Sequence, residues 1–182
     1  MMILALCGSL RAASINAALL RATARLAPPD IAITIYPHAG ELPLFNPDNE
    51  STIPSHVQQL YALVSSCDAV VIASPEYAHG MTGTMKNMLD WLVGYAPFAN
   101  KHVAVFNASP TSYHADSAVK EVLKTMSAIV VENASVRVPL VGLPRTEEHM
   151  VANPEVATVL IDALNALRFA VAQSSLVRDL AL

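Results

Sequence analysis

Ile3–Cys7, Ala69–Ala73 and Val103–Phe106 are short apolar runs with no polar alternation. That is the pattern of strands covered on both faces. Ile31–Tyr36 adds a β-branched run, and Val136–Val138, with a few residues before it, a fifth and faintest one. Between the runs the apolar period becomes helical. Ile15, Leu19, Ala22 and Leu26 fall on one helix face, as do Val57, Leu60, Tyr61 and Val64 just after Pro54. Met81, Met85, Met88, Leu89 and Leu92 mark a third helix, and Val119, Val122, Leu123 and Met126 a fourth. Val156, Val159, Leu160, Ala163, Leu164 and Leu167, following Pro154, mark a fifth. The methionines at these positions read as core filler.

Strands alternating with helices predict an α/β fold: a doubly wound, five-stranded parallel sheet with helices on both faces and right-handed crossovers. Five strands suggest the flavodoxin-like order 2-1-3-4-5. A ligand then lies beyond the carboxyl ends of strands 1 and 3, where the order reverses. No repeat or linker interrupts the pattern, so residues 1–182 read as one domain. His38–Ile53 and Pro139–Asn153 are long loops, rich in Pro, Asn and Glu, and such loops in a compact domain are often functional.

Composition removes whole classes of function. The 182 residues are 53% hydrophobic and 14% charged, a balance that excludes intrinsic disorder. Eleven basic against 15 acidic residues give a net charge of −4 with no Lys/Arg cluster, which argues against a nucleic-acid partner. No apolar run reaches about 18 residues, so no membrane span is expected, and the apolar start Met1–Cys7 lacks a basic leader. Cys7 and Cys67 form no disulfide framework or zinc spacing and read as buried thiols in a reducing, cytoplasmic setting. The low charge hints at apolar surface buried between subunits. The six histidines share no metal-ligand spacing, so no metal is expected, and no nucleophile-elbow GxSxG is present. Glu147-Glu148 reads as a solvated loop face.

Two loops carry candidate chemistry. Cys7-Gly8-Ser9-Leu10-Arg11-Ala12-Ala13-Ser14-Ile15-Asn16 joins the first strand to the first helix. A helix start offers free N–H groups and partial positive charge, which suit a phosphate. Ser9, Ser14 and Asn16 add polar groups, Arg11 adds a charged donor, and Gly8 permits a tight turn. The competing reading makes Ser14 or Asn16 a helix cap and Arg11 a solvated side chain. A triphosphate loop is absent, since the first lysine is Lys86, and Leu10 stands where GxGxxG needs its second glycine. A cysteine phosphatase needs five residues between Cys and Arg; three separate Cys7 from Arg11. The second loop, Ser74-Pro75-Glu76-Tyr77-Ala78-His79-Gly80, leads from the third strand towards the third helix. Its free amides suit the polar edge of a planar ring, with Tyr77 beside it. The plainer reading is an ordinary turn with Tyr77 in an interface. His79 and His114 lie in loops near the same edge.

Together these segments resemble the NADPH-dependent FMN reductase family, whose relatives include quinone, chromate and azo-dye reductases. The resemblance rests on Gly8-Ser9-Leu10-Arg11, Ser14 and Asn16, then Pro75-Glu76-Tyr77, Gly83, Lys86-Asn87 and Leu89-Asp90-Trp91. Glu41-Leu42-Pro43-Leu44-Phe45-Asn46 and Cys67-Asp68-Ala69-Val70-Val71 extend it over roughly residues 2 to 170. It implies a flavoenzyme that binds FMN, takes a hydride from NADPH or NADH and passes electrons to a small-molecule acceptor. Ser9, Arg11, Ser14 and Asn16 would hold the FMN phosphate. Pro75, Glu76 and Tyr77 would run along the pyrimidine side of the flavin, and Ser109 or Thr111 would bond it from the third loop. No side chain is expected to be catalytic. Lys86-Asn87 and Asp90-Trp91 are assigned to structure and subunit contact in a homodimer or homotetramer. The sequence departs from the pattern twice. Ala78 replaces the usual Asn, and the third loop, Asn107–His114, has no glycine. A flavodoxin-like electron carrier, without NAD(P)H turnover, and a non-catalytic binding module are the competing classes.

Overall fold

In the computed structural model the described residues are 1–142 and 144–180, the side chains of 177–180 excepted. Leu143, inside the second long loop, and residues 181–182, at the end of the expected domain, lie outside them. The elements are β1 (Met2–Cys7), α1 (Ile15–Leu26), β2 (Ala32–Ile35), α2 (Ser55–Ser66), β3 (Ala69–Ala73), β4 (Glu76–Tyr77), β5 (Gly80–Met81), α3 (Gly83–Val93), β6 (His102–Asn107), α4 (Tyr113–Thr125), β7 (Ile129–Val130), β8 (Val136–Arg137), α5 (Glu147–Ala152) and α6 (Pro154–Leu180).

The main sheet runs β2-β1-β3-β6-β7, with β8 also paired to β6, and every pairing in it is parallel. The expected order is recovered with one correction. The fifth position is shared by two two-residue segments, β7 beside His102–Val103 and β8 beside Phe106–Asn107. Between them the chain leaves the ladder in a 3-10 turn, Glu132–Ala134. Val105 N–H, left without a strand partner there, donates to Ser135 Oγ at 3.1 Å.

Alternation along the strands divides the core between the two sheet faces. Ile3, Ala5, Cys7, Val71, Ala73, Ala104 and Phe106 meet α1 and α6 on one side. Leu4, Leu6, Val70, Ile72, Val103 and Val105 meet α2, α3 and α4 on the other. Met85 and Met88 are fully buried core filler, and Cys7 and Cys67 are free and buried. The second long loop contains α5, capped by Thr146. Glu147 is therefore not a solvated loop residue: it opens α5 and bonds Arg21 at 2.7 Å and Arg25 at 3.3 Å on α1. Among the described residues, no helix is long and apolar enough to cross a membrane.

Candidate functional site

Three loops converge at the carboxyl ends of β1, β3 and β6. Gly8 N–H donates to Ala73 O at 2.8 Å, one step beyond the β1–β3 pairing. Thr82 Oγ1 donates to Gly8 O at 2.6 Å and accepts from Met85 N–H at 3.2 Å, capping α3. A Cβ on Gly8 would lie 2.3 Å from Ser74 Oγ and 2.7 Å from Ser74 Cβ. The first two loops thus touch backbone to side chain, which only glycine permits there.

Ser14 caps α1, its Oγ accepting from Ala17 N–H at 3.2 Å, so the helix-capping reading of that residue holds. The N–H groups of residues 10–13, 15 and 16 have no acceptor among the described residues. A run of free amides at a helix start is a concave anion cradle. Arg11 stands exposed beside it and forms no ion pair among the described residues, and Ser9 is half-buried. Asn16 is 3% exposed, and its Oδ1 has no hydrogen-bond partner among the described residues. A buried orphan of this kind costs about 1–3 kcal/mol unless something fills its hydrogen bond. Cys7 differs: burial pushes its thiol up, and its Sγ leans on Ser9 O at 3.6 Å. A buried, protonated thiol is a poor nucleophile, which with the short Cys–Arg spacing opposes phosphatase chemistry.

The second loop is a hairpin that sequence periodicity did not show. Glu76 pairs with Met81 and Tyr77 with Gly80, antiparallel. Its two turn residues are left-handed, Ala78 at φ 50° and His79 at φ 57°, as a two-residue hairpin turn requires. Glu76 Oε2 accepts from Ala115 N–H in the first turn of α4 at 3.0 Å, and Oε1 faces His79 Nδ1 at 3.3 Å. The Ala115 N–H, foremost, holds the Glu76 carboxyl below its ordinary range. Its carboxylate therefore braces the hairpin against α4, leaving main chain towards the cleft. Tyr77 is 61% exposed at the rim. Alanine bears a left-handed cost that asparagine largely escapes. Ala78→Asn is expected to raise unfolding stability by about 0.5–1 kcal/mol, read from urea denaturation; an unchanged or lowered midpoint would show that the turn stores no strain.

The glycine-free third loop is shaped by side chains. Asn107 Nδ2 donates to Ser112 O at 2.7 Å and its Oδ1 accepts from Ser109 N–H at 2.9 Å. Arg137 donates to Pro110 O at 2.6 Å and lies 4.1 Å over the Tyr113 ring. Neither Asn107 nor Arg137 carried a sequence signal. A cleft of about 190 Å³ opens between the loops, lined among others by Asn16, Ser74, Pro75, Glu76, Ser109 and Ser112. Of the expected site residues, Asn16, Pro75, Glu76 and Ser109 line it, while Ser9, Arg11, Ser14 and Tyr77 are not among its lining residues.

The first long loop closes a further side. Leu10 reaches over Gly40, where an added Cβ would meet its Cδ2 at 3.0 Å. Asn87 Oδ1 accepts from Phe45 N–H at 2.8 Å, and Asn87 Nδ2 and Trp91 Nε1 both donate to Pro43 O, at 3.0 and 2.9 Å. Lys86 pairs with Asp90 one turn on. The structural part expected of this segment is thus an anchor for residues 42–45, which presents Leu44, 82% exposed, to solvent.

Residues 1–141 match the family model described as NADPH-dependent FMN reductase. A quinone reductase of Escherichia coli (strain K12) is 32% identical over 111 residues, 59% of each chain. An NAD(P)H-dependent FMN reductase of Pseudomonas aeruginosa is 34% identical over 110 residues, again 59% of each. The match thus spans about three-fifths of the length of these curated relatives. Among solved structures, a flavoenzyme NAD(P)H:(acceptor) oxidoreductase from Paracoccus denitrificans superposes with a TM-score of 0.66 at 24% identity, covering 94% of this chain and 93% of that one. That likeness, with the flavodoxin WrbA-like protein of Agrobacterium tumefaciens at a TM-score of 0.58, establishes the flavodoxin-like α/β fold.

Proposed function

The chain belongs to the NADPH-dependent FMN reductase family, and from that premise we infer that it is an FMN-dependent NAD(P)H oxidoreductase serving a small-molecule acceptor. The observation that carries the reading is the meeting, at the sheet's carboxyl edge, of the unbonded amides of residues 10–13, 15 and 16, of Arg11, which forms no ion pair among the described residues, and of the buried Asn16 side chain. Phosphate oxygens on a nucleotide tail would take up the N–H groups, Arg11 and Asn16 Nδ2, all donors, while Asn16 Oδ1, an acceptor, would take a hydroxyl of the chain that carries the phosphate.

In this reading the amides, Ser9, Arg11, Ser14 and Asn16 hold the FMN phosphate. The main chain of Pro75, Glu76 and Tyr77 follows the pyrimidine edge, where its dipoles favour negative charge on the ring. Ser109, already held in place by Asn107, offers its hydroxyl from the third loop. When bound, FMN would supply the hydride and electron transfer between NADPH or NADH and the acceptor, so the protein would contribute position and electrostatics, not an acid or base. Tyr77 and Leu44 border the open side, where donor and acceptor would enter in turn. The relatives' names favour a quinone as acceptor; an azo compound, a metal oxyanion or free flavin fits the same chemistry. We further propose a single domain over residues 1–182, assembled as a homodimer or homotetramer through exposed apolar side chains such as Val93 and Phe169. The free cysteines suit a cytoplasmic location.

Purified protein is expected to take up FMN with a flavoprotein absorption spectrum and to oxidise NAD(P)H when a quinone is present. Failure to take up FMN would overturn the reading; uptake without NAD(P)H turnover would make the protein a carrier. Arg11→Ala is expected to weaken FMN binding by about 1.5–3 kcal/mol, the scale of a charged hydrogen bond, seen as a roughly 10- to 150-fold rise in Kd by fluorescence quenching. An unchanged Kd would remove Arg11 from the phosphate site.

A further inference from the structure

Two clusters among the described residues bring two histidines and one glutamate together: His38, Glu41 and His56, and Glu76, His79 and His114. The first is closed on itself. Glu41 spends one oxygen on His38 Nδ1 at 2.8 Å and turns the other to His56 Nε2 at 3.4 Å. The two rings stack at 4.4 Å with an interplanar angle of 29°. Imidazole nitrogens present their lone pairs in the ring plane, so one ion does not sit in both of these nearly parallel planes.

The second cluster is open. Its three ligand atoms lie within 4.8 Å of one another, and the His79 and His114 rings meet edge to face at 4.5 Å and 68°. Their planes therefore intersect. Glu76 has one oxygen fixed by Ala115 N–H, which sets the direction of the other. That other oxygen, Oε1, hydrogen-bonds His79 Nδ1 at 3.3 Å, long for a charged hydrogen bond of about 2.7–2.9 Å. Tetrahedral coordination with bonds of about 2.0–2.2 Å separates neighbouring ligand atoms by about 3.3–3.6 Å. Both histidines are exposed, so an ion can reach them from solvent.

We propose that Glu76, His79 and His114 form a binding site for one divalent zinc-like cation, with water completing the coordination. Two imidazoles and a carboxylate suit zinc, whereas calcium and magnesium favour oxygen-only sets. The ion would tie the β4–β5 hairpin to the first turn of α4. Glu76 lines the cleft from one side of that tie, and Ser112, just before α4, lines it from the other. The site thus becomes a clamp across two walls of the cleft. The proposal stands independently of the flavin reading, because its ligands are side chains and its readout is metal binding.

Zinc chloride is titrated into the full chain, without flavin, by calorimetry against a competing chelator, and cobalt(II) is titrated in parallel by visible absorption. One zinc per chain is expected, with cobalt bands of four- or five-coordinate intensity. His79→Asn, which keeps a residue tolerant of the left-handed turn, and His114→Gln are each expected to weaken zinc at least about tenfold, since even outer-shell losses cost that much. His38→Gln/His56→Gln is expected to leave the affinity unchanged. No zinc uptake by the wild type, wild-type affinity in both single variants, or loss of binding in the double control variant would overturn the site. Weak six-coordinate cobalt bands would overturn it without reference to any variant.

Discussion

Trp91→Ala is expected to lower the unfolding free energy by about 3–5 kcal/mol, the range for truncating a buried aromatic. Trp91 is 1% exposed and among the largest fully buried side chains. Its ring meets Phe45 edge to face at 5.1 Å and 87°. Its Nε1–H holds Pro43 O at 2.9 Å, and its carbonyl accepts from Tyr61 Oη at 2.7 Å. Truncation opens a cavity in the α2–α3 face and frees residues 42–45 on one side. Asn87 still donates to Pro43 O at 3.0 Å and accepts from Phe45 N–H at 2.8 Å, so Pro43 O loses one of its two donors and the loop keeps its Asn87 ties. Trp91→Phe keeps most of the ring volume and loses only the hydrogen bond, so about 1–2 kcal/mol is expected. Urea unfolding followed by circular dichroism measures both, because Trp91 is the chain's single tryptophan and fluorescence vanishes with it. Faster amide exchange at Phe45, whose N–H bonds Asn87 Oδ1, is expected in the alanine variant. Equal losses in the two variants would show that ring packing does not anchor the loop.

Elements with a full apolar period were legible in the sequence. β3 occupies Ala69–Ala73 as its uninterrupted run predicts, and α1 spans the predicted Ile15 to Leu26. What escaped was held by single contacts. β7 and β8 are two residues each, too short for any period, and Ser135 Oγ carries the bond between them. The β4–β5 turn lacks the Asn-Gly or Asp-Gly pair that announces such hairpins; Ala78 and His79 adopt it because Glu76 is fixed to α4 from the other side. α5 is one and a half turns long, and its Glu147 is drawn out of solvent by two arginines of α1, more than a hundred residues earlier. Within the candidate site, the place of the first loop was legible, because Gly8 ends the apolar run of β1 and Ser14 opens the helical period of α1. Asn107 was not, because a buried asparagine bracing Ser109 and Ser112 looks in sequence like any polar residue ending a strand.

Gly8→Val is expected to cost about 3 kcal/mol or more, beyond the usual range for overpacking, and to abolish FMN uptake at micromolar flavin. The reason lies in which atoms obstruct the new Cβ. Ser74 Oγ at 2.3 Å can rotate away, but Ser74 Cβ at 2.7 Å is fixed to the main chain, and Thr82 Oγ1 at 3.0 Å is committed to Gly8 O. Relief therefore requires the ends of β1 and β3 to part, lengthening the Gly8 N–H to Ala73 O bond of 2.8 Å. Those strand ends carry the two loops that would hold the phosphate and the ring edge, so stability and flavin affinity should fall together. Gly8→Ala is expected to show a smaller version of both losses. Ser74→Gly removes both obstructing serine atoms, and in the double variant Gly8→Ala/Ser74→Gly the combined loss should be less than the sum of the single losses, the mark of a direct contact. Strict additivity, or a Gly8→Val protein with unaltered midpoint and flavin Kd, would mean that the junction between the two loops tolerates separation and that the site is organised elsewhere.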